Sequence, residues 1–333
     1  MGNEALGRGI VEAGVTLAAS YPGTPASEIL AAVVSFAKET GAEVYAEWSV
    51  NEKVAFEVAL ANSMCGRRSA VSMKQVGLNV ASDPFMRAAY LGVKGGLVVI
   101  AADDPGPHSS QTEQDSRFFA MFAKVPVLDP SSPREAKDMV AQALELSERF
   151  ELPVMVRPTT RVCHARQNVP CGAPWRLDRP AKFHKDPRRW CATPLFVLEL
   201  HRELNEKLDK IAAAPEFSPH LTAGDGSHPG TCIIASGVAG AHTADWLEEL
   251  GLLGRVDFFQ VAMPYPLNRD FINTVQTRYD KILVIEETYP VIELQLADAR
   301  VQGRTSGLVP RAGELTPDVI RPVLETFLEL PPR

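Results

Sequence analysis

A glutamate in the first turn of an otherwise apolar helix is the residue of this sequence best suited to proton chemistry. It is Glu52, in the run EWSVNEKVAFEVALA, with Val50, Val54, Ala55 and Phe56 as neighbours. A carboxyl kept out of water has its pKa raised toward neutrality and can hold a proton against a ring nitrogen. A solvated first-turn glutamate, favoured by the helix dipole, is the plainer explanation of the same residue. Glycine-bearing loops flank it on both sides. In SYPGTPASEIL, Gly23 allows close backbone approach and Thr24 offers a hydroxyl; in SAVSMKQVGLN, Gln75, Gly77 and Asn79 can line a cleft. A third loop, Asp103-Asp104-Pro105-Gly106-Pro107-His108, adds a histidine. Each loop also has a bland explanation. Thr24 followed by Pro25 is an ordinary helix start, and a lone loop histidine is usually solvated.

These residues need a scaffold, and the pattern around them supplies one. Up to about residue 158, apolar runs such as SAVSM and GGLVVIAAD alternate with helical segments across short connections. The runs are continuous rather than alternating, which predicts a parallel sheet covered on both faces and an α/β fold. Open sheets of this kind bind ligands at the carboxyl ends of their strands, where the Gly23, Gly77 and His108 loops fall. A helix is expected over 112–123, and Ser132-Pro133 with Glu135 marks the start of another.

Residues 161–229 break the rhythm. Pro170, Pro174, Pro180, Pro187, Pro194, Pro215, Pro219 and Pro229 punctuate them around one helical stretch, PLFVLELHRELNEKLDKIAAA. This reads as a connector without a sheet of its own, joining a first domain over 1–160 to a second α/β domain over 230–333. The second begins at the strand TCIIASGV and continues through VDFFQVAMPYP and KILVIEET, with helices between. The final LELPPR reads as an end without a globular finish.

Composition narrows the function classes. The net charge is −7 and no basic block occurs, which argues against nucleic acid. No apolar run approaches the ~20 residues of a membrane span, and no signal peptide opens the chain, so a cytoplasmic protein is expected. The five cysteines include no C-x-x-C pair, and the seven histidines no H-E-x-x-H. Neither a cluster nor a protein-held metal is expected in this chain.

A buried glutamate between strand-ending glycine loops is what a thiamine-diphosphate enzyme needs around the cofactor's aminopyrimidine ring. The carboxyl favours the imino form of that ring, which deprotonates the thiazolium carbon that attacks a 2-oxo acid. The diphosphate side is not written here. Gly224-Asp225-Gly226 resembles a diphosphate–magnesium motif, but the next asparagine, Asn268, is too distant and the tripeptide precedes a strand. We reject it. No G-x-x-x-x-G-K-[ST] or G-x-G-x-x-G occurs either.

Several longer strings carry more information together than any residue alone. GNEALGRGIVEAGV, YPGTPASEI, NEKVAFEVALA, MKQVGLNVASDP, ADDPGPHSSQTEQDSRFFA, RPTTRVCHARQNV and LVIEETYPVIELQL resemble the alpha subunit of indolepyruvate:ferredoxin oxidoreductases, within the pyruvate:ferredoxin oxidoreductase superfamily. The resemblance implies a pyrimidine-binding domain followed by a transketolase-C-terminal-like domain. It implies Glu52 as the activating glutamate, Gly23, Thr24, Gln75, Gly77 and Asn79 near the cofactor, and Thr24, Asn79 and His108 toward the substrate. It implies thiamine diphosphate shared with a partner chain, and Mg²⁺ and 4Fe–4S clusters on partner chains only. The implied partners are a diphosphate-binding, ferredoxin-domain subunit, a gamma/beta-type subunit and ferredoxin, with CoA and an aryl 2-oxo acid as substrates. Family members continue past a P-P-R junction, here Pro331-Pro332-Arg333, so a partner chain or a longer polypeptide is expected to supply the rest. The superfamily's arginine for the substrate carboxylate follows the fourth strand, where this chain reads Ala101-Ala102-Asp103-Asp104. The carboxylate partner is thus left open. Two other functions are carried: a non-catalytic scaffold subunit, and a different thiamine-dependent decarboxylase or transferase.

Overall fold

The computed structural model describes residues 1–330; the Pro331-Pro332-Arg333 junction lies outside the described residues. Its first layer is a parallel sheet of β1 (Leu17–Ser20), β2 (Tyr45–Trp48), β3 (Ser69–Lys74), β4 (Leu97–Ala102), β5 (Val127–Leu128) and β6 (Val154–Val156), in the order β2-β1-β3-β4-β6-β5. Every residue of β4 is buried, as a central strand covered on both faces requires. The covering helices are α1 (Gly2–Glu12), α2 (Ser27–Thr40), α3 (Glu52–Met64), α4 (Gln75–Val80), α5 (Ser82–Leu91), α6 (Ser116–Ala123), α7 (Pro133–Phe150) and α8 (Thr160–His164). Helix α1 packs on α2 and α7, while α3 packs on α5. Ser132 caps α7 as its sequence indicates, its hydroxyl accepting from the Glu135 amide.

Helix α6 starts later than expected. Asp115 takes an extended conformation and accepts from the Arg117 amide, so residues 112–115 stay in the preceding loop.

The connector holds α9 (Pro187–Trp190) and α10 (Val197–Ala212), then a strand that the sequence reading missed, β7 (His220–Thr222). β7 is the antiparallel edge of a second sheet with β8 (Thr231–Ser236), β9 (Asp257–Val261), β10 (Lys281–Ile285) and β11 (Val301–Gln302), in the order β11-β10-β8-β9-β7. The connector therefore does contribute to a sheet. Three residues, HLT, are too few to show a period. The same strand corrects the reading of Gly224-Asp225-Gly226, which follows a strand as well as preceding one. That tripeptide sits at the amino edge of β8, opposite the carboxyl ends where ligands bind.

Helices α11 (Gly237–Glu249), α12 (Arg269–Arg278), α13 (Val291–Leu296) and α14 (Pro317–Phe327) cover the second sheet. Alternation along β10 divides the core. Leu283 and Ile285 join the apolar layer under α11 and α14, and Ile282 and Val284 join the layer under α12 and α13. Helix α14 gives the second unit the closing element that the sequence did not suggest. Across all described residues, no helix is long and apolar enough to cross a membrane.

The two sheets are joined by backbone and by buried charge. Val127 donates to the Tyr265 carbonyl at 2.7 Å and Asp129 to that of Ala262 at 2.9 Å. Beside this seam lies a dry ionic network. Arg117 pairs with Asp115 at 2.7 Å and with Glu286 at 3.0 Å, and Arg157 pairs with Asp103 at 2.7 Å. The amides of Thr288 and Tyr289 both donate to Asp115 at 2.8 Å. Ionic groups this deep hold only when paired and hydrogen-bonded, so the network fixes the relative position of the two units.

Candidate active site

The carboxyl ends of β1, β3, β4 and β6 lie side by side, so the loops that follow them meet at one edge of the first sheet. Glu52 reaches this edge from the first position of α3, where Asn51 caps the helix by accepting from the Val54 amide at 2.9 Å. Its side chain is buried, with 7% of the residue exposed. The burial comes from across the edge rather than from the flanking Val50, which is itself 80% exposed. Gly77, at the start of α4, lies directly against Glu52: a Cβ there would come within 2.4 Å of Oε1 and 2.7 Å of Cγ. Only glycine leaves the carboxylate this space.

Gly23 uses its missing side chain differently. A Cβ there would meet the Lys74 stem at 2.6 Å, so the β1 loop packs on the residue that ends β3. The Gly23 amide donates to Ser27 at 2.9 Å. Thr24 is exposed, and its carbonyl accepts from the Ser109 hydroxyl at 3.3 Å. With His108, Arg161, His164 and Glu314, Thr24 lines an open cleft of about 400 Å³.

Gln75 and Asn79 face a different cleft, of about 300 Å³, walled by Leu78, Phe118, Phe119, Phe122 and Tyr289. Gln75 is buried, and both ends of its amide are engaged. Nε2 donates to the Thr112 carbonyl at 2.7 Å, and Oε1 accepts from the Asp104 amide at 2.8 Å. Its visible work is to hold the loop after β4. Asn79 is exposed and donates to Gln114 at 3.0 Å. The edge thus brings Glu52 to Gly77 and Thr24 to His108, and sets Gln75 and Asn79 around a second, aromatic-walled recess.

Sequence reasoning passed over Asp104, which ties these loops together. Its carboxylate accepts from the amides of Ser109 (2.9 Å) and Ser110 (3.0 Å) and from the Thr160 hydroxyl (2.7 Å). Burial works to raise its pKa, but these donors outweigh it and hold the carboxyl below the usual range. The loops bearing His108 and Arg161 are thereby fastened to one group. Arg161 and Glu314, also unforeseen, face each other across the units; only the strings RPTTR and GEL could have pointed to them. Each is shifted as its partner requires, Glu314 downward and Arg161 upward, chiefly by their mutual hydrogen bonds.

The residues present fit a cofactor of the expected kind in one specific respect. A buried carboxylate stands at the carboxyl edge of the sheet, its side chain seated over the bare Cα of Gly77. Among the described residues, no group of three or more His, Cys, Asp or Glu is arranged to hold a metal ion. All five cysteines are free, and Cys163 and Cys232 are buried in the cores.

Residues 8–189 match the family model described as pyruvate flavodoxin/ferredoxin oxidoreductase, thiamine diphosphate-binding. The chain is 39% identical over 340 residues to the indolepyruvate oxidoreductase subunit IorA of Methanothermobacter thermautotrophicus, covering 99% of this chain and 54% of that protein. It thus spans about half the length of the curated relatives it matches. Among solved structures, the 2-oxoglutarate:ferredoxin oxidoreductase of Magnetococcus marinus superposes with a TM-score of 0.73 at 16% identity, covering 98% of this chain and 64% of that one. A split-gene transketolase superposes with a TM-score of 0.59 at 15% identity, covering 98% and 97%. These likenesses establish the fold as a parallel-sheet α/β unit followed by a transketolase-like α/β unit. With the family match extending over more than half of its residues, the chain belongs to the thiamine-diphosphate-binding family of pyruvate flavodoxin/ferredoxin oxidoreductases.

Proposed function

We propose that this chain is the pyrimidine-binding part of a 2-oxo-acid:ferredoxin oxidoreductase that converts an aryl pyruvate, indolepyruvate in the first instance, to its acyl-CoA. The observation that carries the reading is the Glu52 carboxylate, buried at the carboxyl edge of the sheet against the open Cα of Gly77. Thiamine diphosphate, when bound, supplies the carbon nucleophile and the electron sink that decarboxylation of a 2-oxo acid needs. The chain's own part is narrower. Glu52 holds a proton against a ring nitrogen in a place where water competes poorly, and Gly77 gives the carboxyl room to lie there. Gly23 and Thr24 border the same edge from β1, and His108 shares a cleft with Thr24 that this reading assigns to the substrate. Gln75 keeps the β4 loop in position for both.

The remaining parts belong to other polypeptide segments in this reading. A diphosphate-binding, ferredoxin-domain segment holds the Mg²⁺ and the 4Fe–4S clusters, a gamma/beta-type subunit completes the complex, and ferredoxin takes the electrons. The test is product analysis on the complex assembled with those partners and supplied with indolepyruvate, CoA and oxidised ferredoxin. The expected products are the acyl-CoA, carbon dioxide and reduced ferredoxin. An aldehyde with no ferredoxin reduction would make this a decarboxylase instead, and no 2-oxo-acid turnover at all would overturn the proposal.

A further inference from the structure

The cleft that holds Thr24 contains one group suited to a carboxylate and one group already playing that part. Arg161 follows β6 at the ligand-binding edge, next to a residue that is tied down twice. The Thr160 amide donates to the Asp103 carbonyl at 2.8 Å and the Thr160 hydroxyl to Asp104 at 2.7 Å. From the other unit, Glu314 arrives ahead of α14 and meets the guanidinium in a two-pronged pair, Nε to Oε1 at 2.6 Å and Nη2 to Oε2 at 2.8 Å. The pair is not part of the dry seam. The Arg161 side chain is 50% exposed and opens onto the cleft, whereas that of Glu314 is 12% exposed. His108 lies 3.8 Å from the same Glu314 oxygen.

Planar guanidinium against planar carboxylate is the most specific match a protein offers to an organic acid. A 2-oxo acid entering beside Thr24 presents such a carboxylate. The basic side chains lining the cleft are Arg161, His108 and His164, and only arginine can grip both oxygens at once. We propose that Arg161 anchors the substrate carboxylate and that Glu314 occupies it until the substrate displaces it. Substrate binding then exchanges an ion pair between the two units for one between chain and ligand. The Glu314 loop is released from Arg161, while its neighbour Gly313 keeps its own bond to Glu113 at 2.9 Å. This inference rests on the proposed function, since it takes the ligand to be a 2-oxo acid.

Steady-state kinetics of the assembled complex test it, because the two partners are expected to move KM in opposite directions. Arg161→Gln should raise KM for the 2-oxo acid about ten- to a hundred-fold, the loss of a charge-assisted pair, with a much smaller change in kcat. Glu314→Gln removes the competitor and should lower that KM several-fold. The double variant should behave like Arg161→Gln alone. If Arg161→Gln fails to assemble, Arg161→Lys serves: it keeps the charge, loses the two-pronged grip and should still raise KM. The proposal is overturned if both single variants raise KM and lower thermal stability together, which would make the pair a brace. It is also overturned if KM for CoA changes while that for the oxo acid does not, which would make Arg161 a phosphate ligand. A wild-type complex that turns over 2-oxo acids while Arg161→Gln leaves both KM values unchanged defeats this inference alone. A wild-type complex without 2-oxo-acid activity defeats the reading beneath it.

Discussion

The carboxylate of Glu52 lies against the Cα of Gly77, so close that a methyl group there would approach Oε1 to 2.4 Å. Glu52 opens α3 and Gly77 belongs to α4, so the contact joins two elements across the ligand-binding edge. The room left by the missing Cβ is taken up by the Glu52 side chain itself.

Gly77→Ala tests that contact by pressing on the acid without replacing it. The three atoms nearest the added Cβ belong to the Glu52 side chain and none to backbone, so the acid must shift while the fold should survive. Alanine within a helix even gains about 0.5–1 kcal/mol in propensity over glycine. The expected outcome is an unchanged or slightly raised Tm with turnover reduced by at least about ten-fold, the cost of a small misplacement at a reacting centre. A fully active variant would show that the Glu52–Gly77 contact is packing only.

Asp104→Asn should loosen the edge as a whole. The amide keeps one acceptor oxygen where the carboxylate serves three donors, those of Ser109, Ser110 and Thr160. Faster hydrogen exchange in the loop over 104–114 is expected, along with a higher KM for the oxo acid. Because the Asp104 pKa is held down in the folded chain, its stabilisation is present above the unfolded carboxylate range and is lost as pH falls through the folded value. Exchange rates equal to wild type would remove Asp104 as the fastening point.

The ionic seam predicts an opposite pH dependence at higher pH. Burial pushes Glu286 and Glu287 up to about 7 from 4.5, against the pull of Arg117 on Glu286 and of the Leu315 amide on Glu287. Folded chains then hold protons that unfolded chains have released between about pH 4.5 and 7, so stability should fall as pH rises through that window. Thermal melts should show Tm declining from pH 5 to pH 7.5. Glu287→Gln should flatten the decline, and an unchanged slope would locate it elsewhere.

Arg117→Met should be among the most destabilising single changes. It leaves Asp115 and Glu286 buried without their cation, which costs about 3–5 kcal/mol. Chemical denaturation should show a lower midpoint. A loss under about 1 kcal/mol would show that Asp115 is held sufficiently by the Thr288 and Tyr289 amides.

What could be read from the sequence, and what could not, follows the range of the interactions. Strand β4 announces itself because a doubly covered strand is apolar throughout, and α7 because its start signal is local. Glu52, Gly23, Gly77 and the His108 loop stood out because glycines and polar residues interrupt those runs at the strand ends. β7 escaped because it is short and borrows its stability from β9. The start of α6 escaped because Asp115, besides capping the helix through the Arg117 amide, is held extended by two amides of the other unit. The Glu52–Gly77 contact, the seam of Arg117 and Arg157, and the Arg161–Glu314 pair all join residues distant in the chain. Apart from Arg117–Asp115, two residues apart, no short window of sequence contains both partners.

The central claim is that one buried carboxyl in this chain activates a coenzyme shared with another chain, and Glu52→Gln measures it most directly. The isosteric amide keeps the size that packs against Gly77 and removes the acid. In the assembled complex, turnover of the 2-oxo acid should fall by at least about 10²-fold, the scale of a lost general acid–base group, with assembly and Tm preserved. A Glu52→Gln complex that turns over at the wild-type rate would contradict the account and leave this chain a scaffold.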